Sequence, residues 1–346
     1  MQLRVVGCHG GETPKHRTCA FLLDERIAID AGSLTSGLDL SLQYKLEAVL
    51  VSHSHLDHVR DLATIADNRA QHGCKPLQVV GTKPTLEVLK KHFFNDLLWP
   101  DFSAIPSKKE PTIVYTVLKP EVRTEIAGFG VKAIAVTHTI DTSAFIVDKH
   151  GVAVAYSGDT GPTERLWEAL NEQQDLRALL MEVSFPNEQQ RLATLSGHHT
   201  PQTLVKDLKK YARPKDLPTL LYHIKPAFQR EVEKQCSKLK GVELTVLTLG
   251  EQGSVVPGQP IEPADQPAPV SAVADPDPVP VRQVVPDGLA DAQAGRAVPS
   301  GPAQVLPGAV GRRVDRGGDQ RVGVDADQAE RVGGPQPGQL LGLADE

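Results

Sequence analysis

Hydrophobic positions in residues 1–255 fall into short apolar runs separated by amphipathic stretches. LEAVLVS (46–52) is short, rich in Leu and Val and bounded by polar residues, the pattern of a buried strand. Behind it, DHVRDLATIADNRAQ sets Val59, Leu62, Ala63 and Ala66 at helical spacing, with Asp57 near the start as an N-terminal carboxylate. LRVVGC (3–8), LQVVGT (77–82), TIVYTVL, GFGVKAIAVTH, TSAFIVD, VAVAYSGD, ALLMEVSF, TLLYHIKP and ELTVLT predict further strands, and CAFLLD with RIAIDAG predicts a hairpin. TLEVLKKHFFNDLLWPDF reads as an amphipathic helix stopping at Pro100. ERLWEALNE, TPQTLVKDLKKYA and FQREVEKQCSKLK read as helices, and SLTSGLDL as a loop or short helix. Two sheets with helices on both outer faces fit this order, an α/β fold.

The connection between LEAVLVS and its helix reads HSHLDH, three histidines and an aspartate in six positions. His53 and His55, at i and i+2 on a tight strand-to-helix turn, can point into one cleft, and Asp57 and His58 enter from the first helical turn. Neutral imidazole and carboxylate are the usual ligands of zinc and its neighbours. The plain alternative is a solvated, His-rich turn. Later strands weigh against it: AIAVTH ends at His138, VAVAYSGD at Asp159 and TLLYH at His223. Residues at strand ends project over a sheet edge, where sites are commonly built. Singly each is more often structural. Seven ligand-type groups at four strand ends make chance convergence a poor explanation.

Composition divides the chain. Every Phe, Tyr and Trp lies at or before Phe228, lysine ends at Lys240, and 14 of the 27 prolines follow residue 255. Residues 1–255 therefore read as one globular domain. The Pro/Gly/Ala-rich residues 256–346 read as a disordered tail, since they cannot bury enough apolar surface to offset ordering entropy. A GC-rich gene read in a wrong frame would give the same composition. The net charge of −6 argues against a general nucleic-acid coat but leaves room for a small anion held by metals. Cys8, Cys19, Cys74 and Cys236 have no paired spacing and read as thiols of a reducing compartment. With no hydrophobic signal core and no run long enough to span a bilayer, a cytoplasmic location without membrane partners is expected.

HSHLDH, FFNDLLWPDF, HTIDTSAFIVD, YSGDTGPTERLW, MEVSFPN, SGHHTP and YHIKP occur in an order that resembles the metallo-β-lactamase superfamily. Over roughly residues 1–250 the chain is most similar to the class II cyclic-nucleotide phosphodiesterases. One departure is Asp61, where that family usually has Gly or Ser; it is expected to alter helix packing or the charge of the cleft. The resemblance implies an αββα sandwich and two divalent metals, zinc first, with manganese or iron as alternatives. His53, His55 and His138 would hold one, Asp57, His58 and His223 the other, and Asp159 would bridge them. Two ions about 3.5–4 Å apart can share a hydroxide and clamp a phosphoryl group. The implied reaction is hydrolysis of cAMP or cGMP to the 5′-monophosphate, with Asp57, Glu182 and His198 as catalytic residues. The related tRNA 3′-processing endonucleases carry a comparable Glu and Gly-His, thought to donate a proton. Such an endonuclease, or another hydrolase of this fold, is the competing reading. Against it, YHIKP lacks that family's His-Phe-Ser-x-Arg-Tyr pattern and no basic arm is visible to grip nucleic acid. A sensor on a decayed scaffold is the non-enzyme alternative, although decay would be expected to remove ligands first.

Several residues stay open. His199 and Thr200 stand beside His198 and are candidates to touch phosphate or ribose. Asp30, in IDAG, is either an outer partner of a ligand histidine or a turn residue. His9, His16, His72, His92 and His150 read as loop or surface residues. FFNDLLWPDF offers a core-packed helix, a cap over the cleft, or a homodimer surface.

Overall fold

Two seven-stranded sheets dominate the computed structural model, which describes residues 1–213, 217–250 and the backbone of 252–254. Strands β1 (Gln2–Gly7), β2 (Ala20–Leu23), β3 (Ile27–Ile29), β4 (Ala48–Leu50) and β5 (Leu77–Thr82) precede a two-stranded ribbon, β6 (Pro106–Ser107) with β7 (Glu110–Pro111). Then come β8 (Ile113–Leu118), β9 (Thr124–Ile126), β10 (Phe129–Ala135), β11 (Ser143–Lys149) and β12 (Val152–Tyr156). The last strands are β13 (Leu176–Glu182), β14 (Thr219–Tyr222), β15 (Leu244–Val246) and β16 (Gln252–Ser254). One sheet runs β16-β1-β2-β3-β4-β5-β8 and the other β15-β14-β13-β12-β11-β10-β9. In each, an antiparallel part gives way to a parallel part, beginning at β3–β4 in the first and at β12–β13 in the second.

The helices are α1 (Leu34–Gly37), α2 (Leu40–Lys45), α3 (Leu56–Val59), α4 (Leu62–His72) and α5 (Lys83–Val88), then α6 (Arg165–Glu172), α7 (Gln190–Ser196), α8 (Pro201–Leu208) and α9 (Gln229–Cys236). Strand alternation explains the layers. In β2, Phe21 and Leu23 face the core between the sheets while Ala20 and Leu22 face the helices of the first half. In β12, Val152, Val154 and Tyr156 face inward while Ala153 and Ala155 face Leu166, Trp167 and Leu170 of α6. A strand covered on both faces shows an unbroken apolar run, which is how these strands read in the sequence. The architecture is the αββα sandwich. Among the described residues no helix is long and apolar enough to cross a membrane. The disordered or frameshifted tail expected over 256–346 lies outside the described residues.

Three local expectations need correction. DHVRDLATIADNRAQ is two helices, α3 and α4, broken at Arg60–Asp61. The Asp61 amide donates to Ala31 O (2.8 Å), and its carboxylate accepts from the amide and hydroxyl of Thr35 at 2.7 and 2.6 Å and from Arg60 Nε at 3.1 Å. Asp61 thus pins the break to α1. The helix expected to run to Pro100 ends instead in a wider turn over Leu89–Phe93. Asn95 Oδ1 accepts from the amides of Leu97 and Leu98, closing a side-chain turn that competes with helix. Phe93, Phe94 and Phe102 pack in the core, while Leu97 is 91% exposed and Leu98 59%. Finally, His9 is buried, not a surface residue: Arg17 N–H donates to its Nδ1 (3.3 Å), and burial first, then His16, lowers its pKa to about 4.

Candidate metal centre

The ligand-type residues and Glu182 lie at the C-terminal ends of strands, whereas His198 follows α7: Ser52 to His58 follow β4, His138 follows β10, Asp159 follows β12, Glu182 closes β13, and His223 follows β14. The two sheets bring these ends together. Ser143 N–H donates to Ser52 O (3.0 Å) and His223 N–H to Cys8 O (2.7 Å), stitching loops across the cleft. Gly32 and Gly197 are among the glycines where close backbone approach is required. A Cβ on Gly32 would meet Asp57 O at 2.0 Å, and Gly197 has φ +67° with His138 Cα 3.0 Å from where its Cβ would be. His223 and Asp30 take the same left-handed backbone, at φ +69° and +58°.

The structure brings all seven expected ligand residues into one cluster with two overlapping sets. His53, His55, His138 and Asp159 offer ligand atoms within 4.8 Å of one another, and so do Asp57, His58, Asp159 and His223. In the first set, His55 Nδ1 lies 3.1 Å from His53 Nε2 and 3.3 Å from His138 Nε2, and Asp159 Oδ2 lies 3.7 Å from His53 Nε2. In the second, His223 Nε2 lies 3.1 Å from Asp159 Oδ2, 3.3 Å from Asp57 Oδ2 and 3.4 Å from His58 Nε2. Asp159 is the shared member. Its Oδ1 is buried without a well-directed hydrogen bond, although His58 Nε2 stands 3.3 Å away.

The outward nitrogens are as informative as the inward ones. His53 Nδ1 is 3.0 Å from Ser52 Oγ, His58 Nδ1 2.7 Å from Asp30 Oδ2, His138 Nδ1 2.9 Å from Gly197 O, and His223 Nδ1 2.8 Å from Ser184 Oγ. A ring that donates one N–H outward presents the lone pair of its other nitrogen inward, the arrangement of metal-ligating histidine. Asp30 is therefore more than a turn residue: it accepts from Ser52 N and Oγ (both 2.8 Å), His58 Nδ1 and Tyr156 Oη (2.6 Å).

Charge fits the same reading. Burial lowers the pKa of His53, His55, His138 and His223 and favours the neutral, ligating form. Burial raises Asp159, but His223, His58 and His53 outweigh it and hold its pKa well below the ordinary carboxylate range. Asp57 is raised by burial and lowered further by its His223 hydrogen bond and by His58. Burial opposes a charge on His58, yet Asp159 and Asp30 on either side push its pKa well up. Converging lone pairs, an orphaned carboxylate oxygen and surplus buried acid suit divalent metal ions.

Beside the second set lies a buried acid–base pair. Glu182 Oε2 is 3.4 Å from His198 Nδ1, and Glu182 Oε1 accepts the His199 amide at 2.7 Å. Burial lowers the pKa of His198, but the Glu182 charge and hydrogen bond overcome it and raise the net value. His199 and Thr200 are fully buried; Thr200 caps α8, accepting from Thr203 N, and His199 Nδ1 meets Thr203 Oγ1 at 3.2 Å. Neither side chain is offered to the cleft. Lys225, half-buried, brings its ammonium to 3.9 Å from Asp57 Oδ2.

Sequence reasoning missed Ser52, Ser184, Tyr156 and Cys19. Glu182 and Ser184 are two residues apart at a strand end, hence on one side of it. That spacing was the available signal. Cys19 Sγ falls within 4.8 Å of ligand atoms of His58 and His223, and burial and then the Asp159 charge push its pKa well up.

Residues 26–224 match the family model of the β-lactamase superfamily domain. A Yersinia pestis protein named probable 3′,5′-cyclic-nucleotide phosphodiesterase is 30% identical, the match covering 65% of this chain and 78% of that one. Among solved structures, unliganded yeast PDE1 superposes with a TM-score of 0.63 at 18% identity, covering 72% of this chain and 98% of its own. The short form of human tRNase Z superposes at 0.55 with 16% identity, covering 74% and 100%. At those identities the structures speak for the fold alone. The chain belongs to the metallo-β-lactamase superfamily, within which it is similar to proteins named 3′,5′-cyclic-nucleotide phosphodiesterases.

Proposed function

We propose that this chain is a metal-dependent phosphodiesterase that hydrolyses 3′,5′-cyclic nucleotides to 5′-monophosphates. The observation that carries this reading is the pair of ligand sets sharing buried Asp159, with the Glu182–His198 pair against one of them. The name of the Yersinia pestis relative points the same way. The likeness to human tRNase Z is one of fold and does not favour an RNA substrate.

His53, His55, His138 and Asp159 would hold one ion, and Asp57, His58, Asp159 and His223 the other, with zinc, manganese or iron suiting the donors. Such ions, when bound, supply the Lewis-acid charge that a phosphodiester anion and its attacking water both need. The chain's own residues do the rest. Asp57, ionised and half-buried at the mouth, orients the water. The half-buried ammonium of Lys225 adds positive charge at the same rim, which favours an anionic substrate. The water oxygen bonds to phosphorus and gives up a proton to the Asp57 carboxylate as the bond from phosphorus to the ribose 3′ oxygen breaks. That oxygen is a poor leaving group as an alkoxide, so His198 donates a proton from Nε2 as the bond opens. Glu182 holds the imidazolium form and orients the ring.

The test is metal analysis of the purified protein together with product identification after incubation with cAMP, cGMP and a bis-aryl phosphodiester. Close to two ions per chain and a 5′-monophosphate product are expected. Release of a 3′-monophosphate, or turnover of the aryl diester alone, would overturn the reading.

A further inference from the structure

The hydroxyl of Ser184 occupies a position that neither the ligand sets nor the proton-donor pair accounts for. It is fully buried. It lies 2.8 Å from Glu182 Oε2, 2.8 Å from His223 Nδ1, 3.1 Å from His198 Nδ1 and 3.3 Å from His223 O. One hydroxyl has one proton to give and two lone pairs to receive with. A carboxylate can only accept, and a charged acceptor takes the stronger bond, so the Ser184 proton goes to Glu182 rather than to the longer carbonyl contact. The oxygen is then left as an acceptor, and its other two neighbours are both ring Nδ1 atoms. Each must arrive carrying its hydrogen. That fixes the tautomer of both rings at once: Nδ1–H points to Ser184, and Nε2 is turned to the cleft. For His223, Nε2 is the atom 3.1 Å from Asp159 and 3.3 Å from Asp57. For His198, whose ring stacks on that of His223 with centroids 5.1 Å apart, Nε2 is the atom left to meet substrate.

We propose that Ser184 is a positioning residue that couples the proton donor to the metal centre: one hydroxyl, anchored on Glu182, holds His198 and His223 in matched tautomers. The coupling part rests on the reading of His198 as proton donor; the part concerning His223 does not. A packing role alone would need no hydroxyl. The geometry has a counterpart across the cleft, where Ser52 Oγ donates to Asp30 and receives His53 Nδ1. There the serine serves a ligand only. At Ser184 it serves a ligand and an acid together.

The experiment compares wild type, Ser184→Ala and Ser184→Thr, with His198→Ala as reference. Competition against a chromophoric zinc chelator reads metal affinity without turnover, and ¹⁵N NMR of the zinc-loaded proteins reads the tautomer of each histidine. At saturating zinc, the ratio of cAMP to bis-nitrophenyl phosphate turnover reads proton donation, because nitrophenolate leaves without a proton. For Ser184→Ala we expect zinc affinity weaker by about 10–100-fold, loss of the Nδ1–H signals of His198 and His223, and a ratio shifted in the direction of His198→Ala. Ser184→Thr keeps the hydroxyl and should recover all three; should it fail to fold, the wild-type tautomers and the Ser184→Ala pair still decide. Unchanged affinity and ratio in Ser184→Ala, or Nε2–H tautomers in the wild type, would overturn the proposal. Weakened affinity with an unshifted ratio would overturn the coupling, leaving Ser184 as a partner of His223. If His198→Ala itself shifts no ratio, the proton-donor reading falls, while affinity and the His223 tautomer continue to judge Ser184.

Discussion

The two halves of the site are built on opposite plans. The half behind β4 takes His53, His55, Asp57 and His58 from six consecutive residues, and one buried carboxylate, Asp30, steadies His58 directly and His53 through Ser52. The other half takes His138, Asp159, Glu182, His198 and His223 from separate segments, with Gly197 O beside His138, and Ser184, anchored on Glu182, beside both His198 and His223. A local plan concentrates dependence on one partner. A dispersed plan divides it, and leaves its geometry to the register of four strands. The donor sets cut across this division, since each draws on both halves and both use Asp159.

Four measurements bear on that contrast. The largest effect belongs to the shared residue. Asp159→Ala should lose both metals, because both donor sets share this carboxylate and two cations held side by side would repel one another without its charge; elemental analysis retaining one ion per chain would show that the sets are independent. Next comes His198→Ala, expected to slow cyclic-nucleotide hydrolysis by about 10²–10⁴-fold while sparing a nitrophenyl diester and leaving metal content intact. Equal slowing of both substrates would remove His198 from the role of acid. Third, Asp30→Asn should weaken metal binding by about 10–100-fold, and should do so at both sites, because its two histidines fall in different donor sets. A titration in which one site is untouched would mean that the local half is less dependent on Asp30 than its bonds imply.

The smallest effect lies away from the site, where Asp24 Oδ2 on the β2–β3 turn meets Lys149 Nζ at the end of β11 at 2.6 Å and clasps one sheet to the other. Burial raises the Asp24 pKa, but Lys149 and the Gln2 amide lower it by more, so the folded value lies below the ordinary one. Its stabilisation is therefore present above the unfolded pKa and disappears as pH falls through the folded one. Asp24→Asn should cost about 0.2–1 kcal/mol near neutrality and converge with wild type in acid. Chemical denaturation near neutrality and again in acid would check it, and a difference that grew in acid would contradict the assignment.

The contrast also explains which parts of the site can be read from the chain without its structure. The ligand residues of the local half are legible together, since HSHLDH places three histidines and an aspartate in six positions. In the dispersed half, His138, Asp159 and His223 are legible only as strand ends, and their assembly depends on the family resemblance. Ser52 and Tyr156 are not legible, because a hydroxyl acquires its meaning from a neighbour distant in sequence or from the rotamer it adopts, and for Ser184 the sequence offers only its spacing from Glu182. Strand order comes through because strands covered on both faces show unbroken Val and Ile runs. The segment after Val88 misleads because its apolar spacing is helical up to Phe93, while a side-chain turn at Asn95 sets the path of the chain beyond it.

His223 occupies a backbone conformation better suited to glycine. For a residue with a side chain that conformation costs about 1–2 kcal/mol, and the chain accepts the cost at a residue offered here as a ligand. A selection for heat resistance run on the metal-stripped protein would thus reward His223→Gly and discard the site with it. Any directed improvement of this scaffold has to be screened with its cations present, where the loss of a ligand outweighs the relief of the backbone.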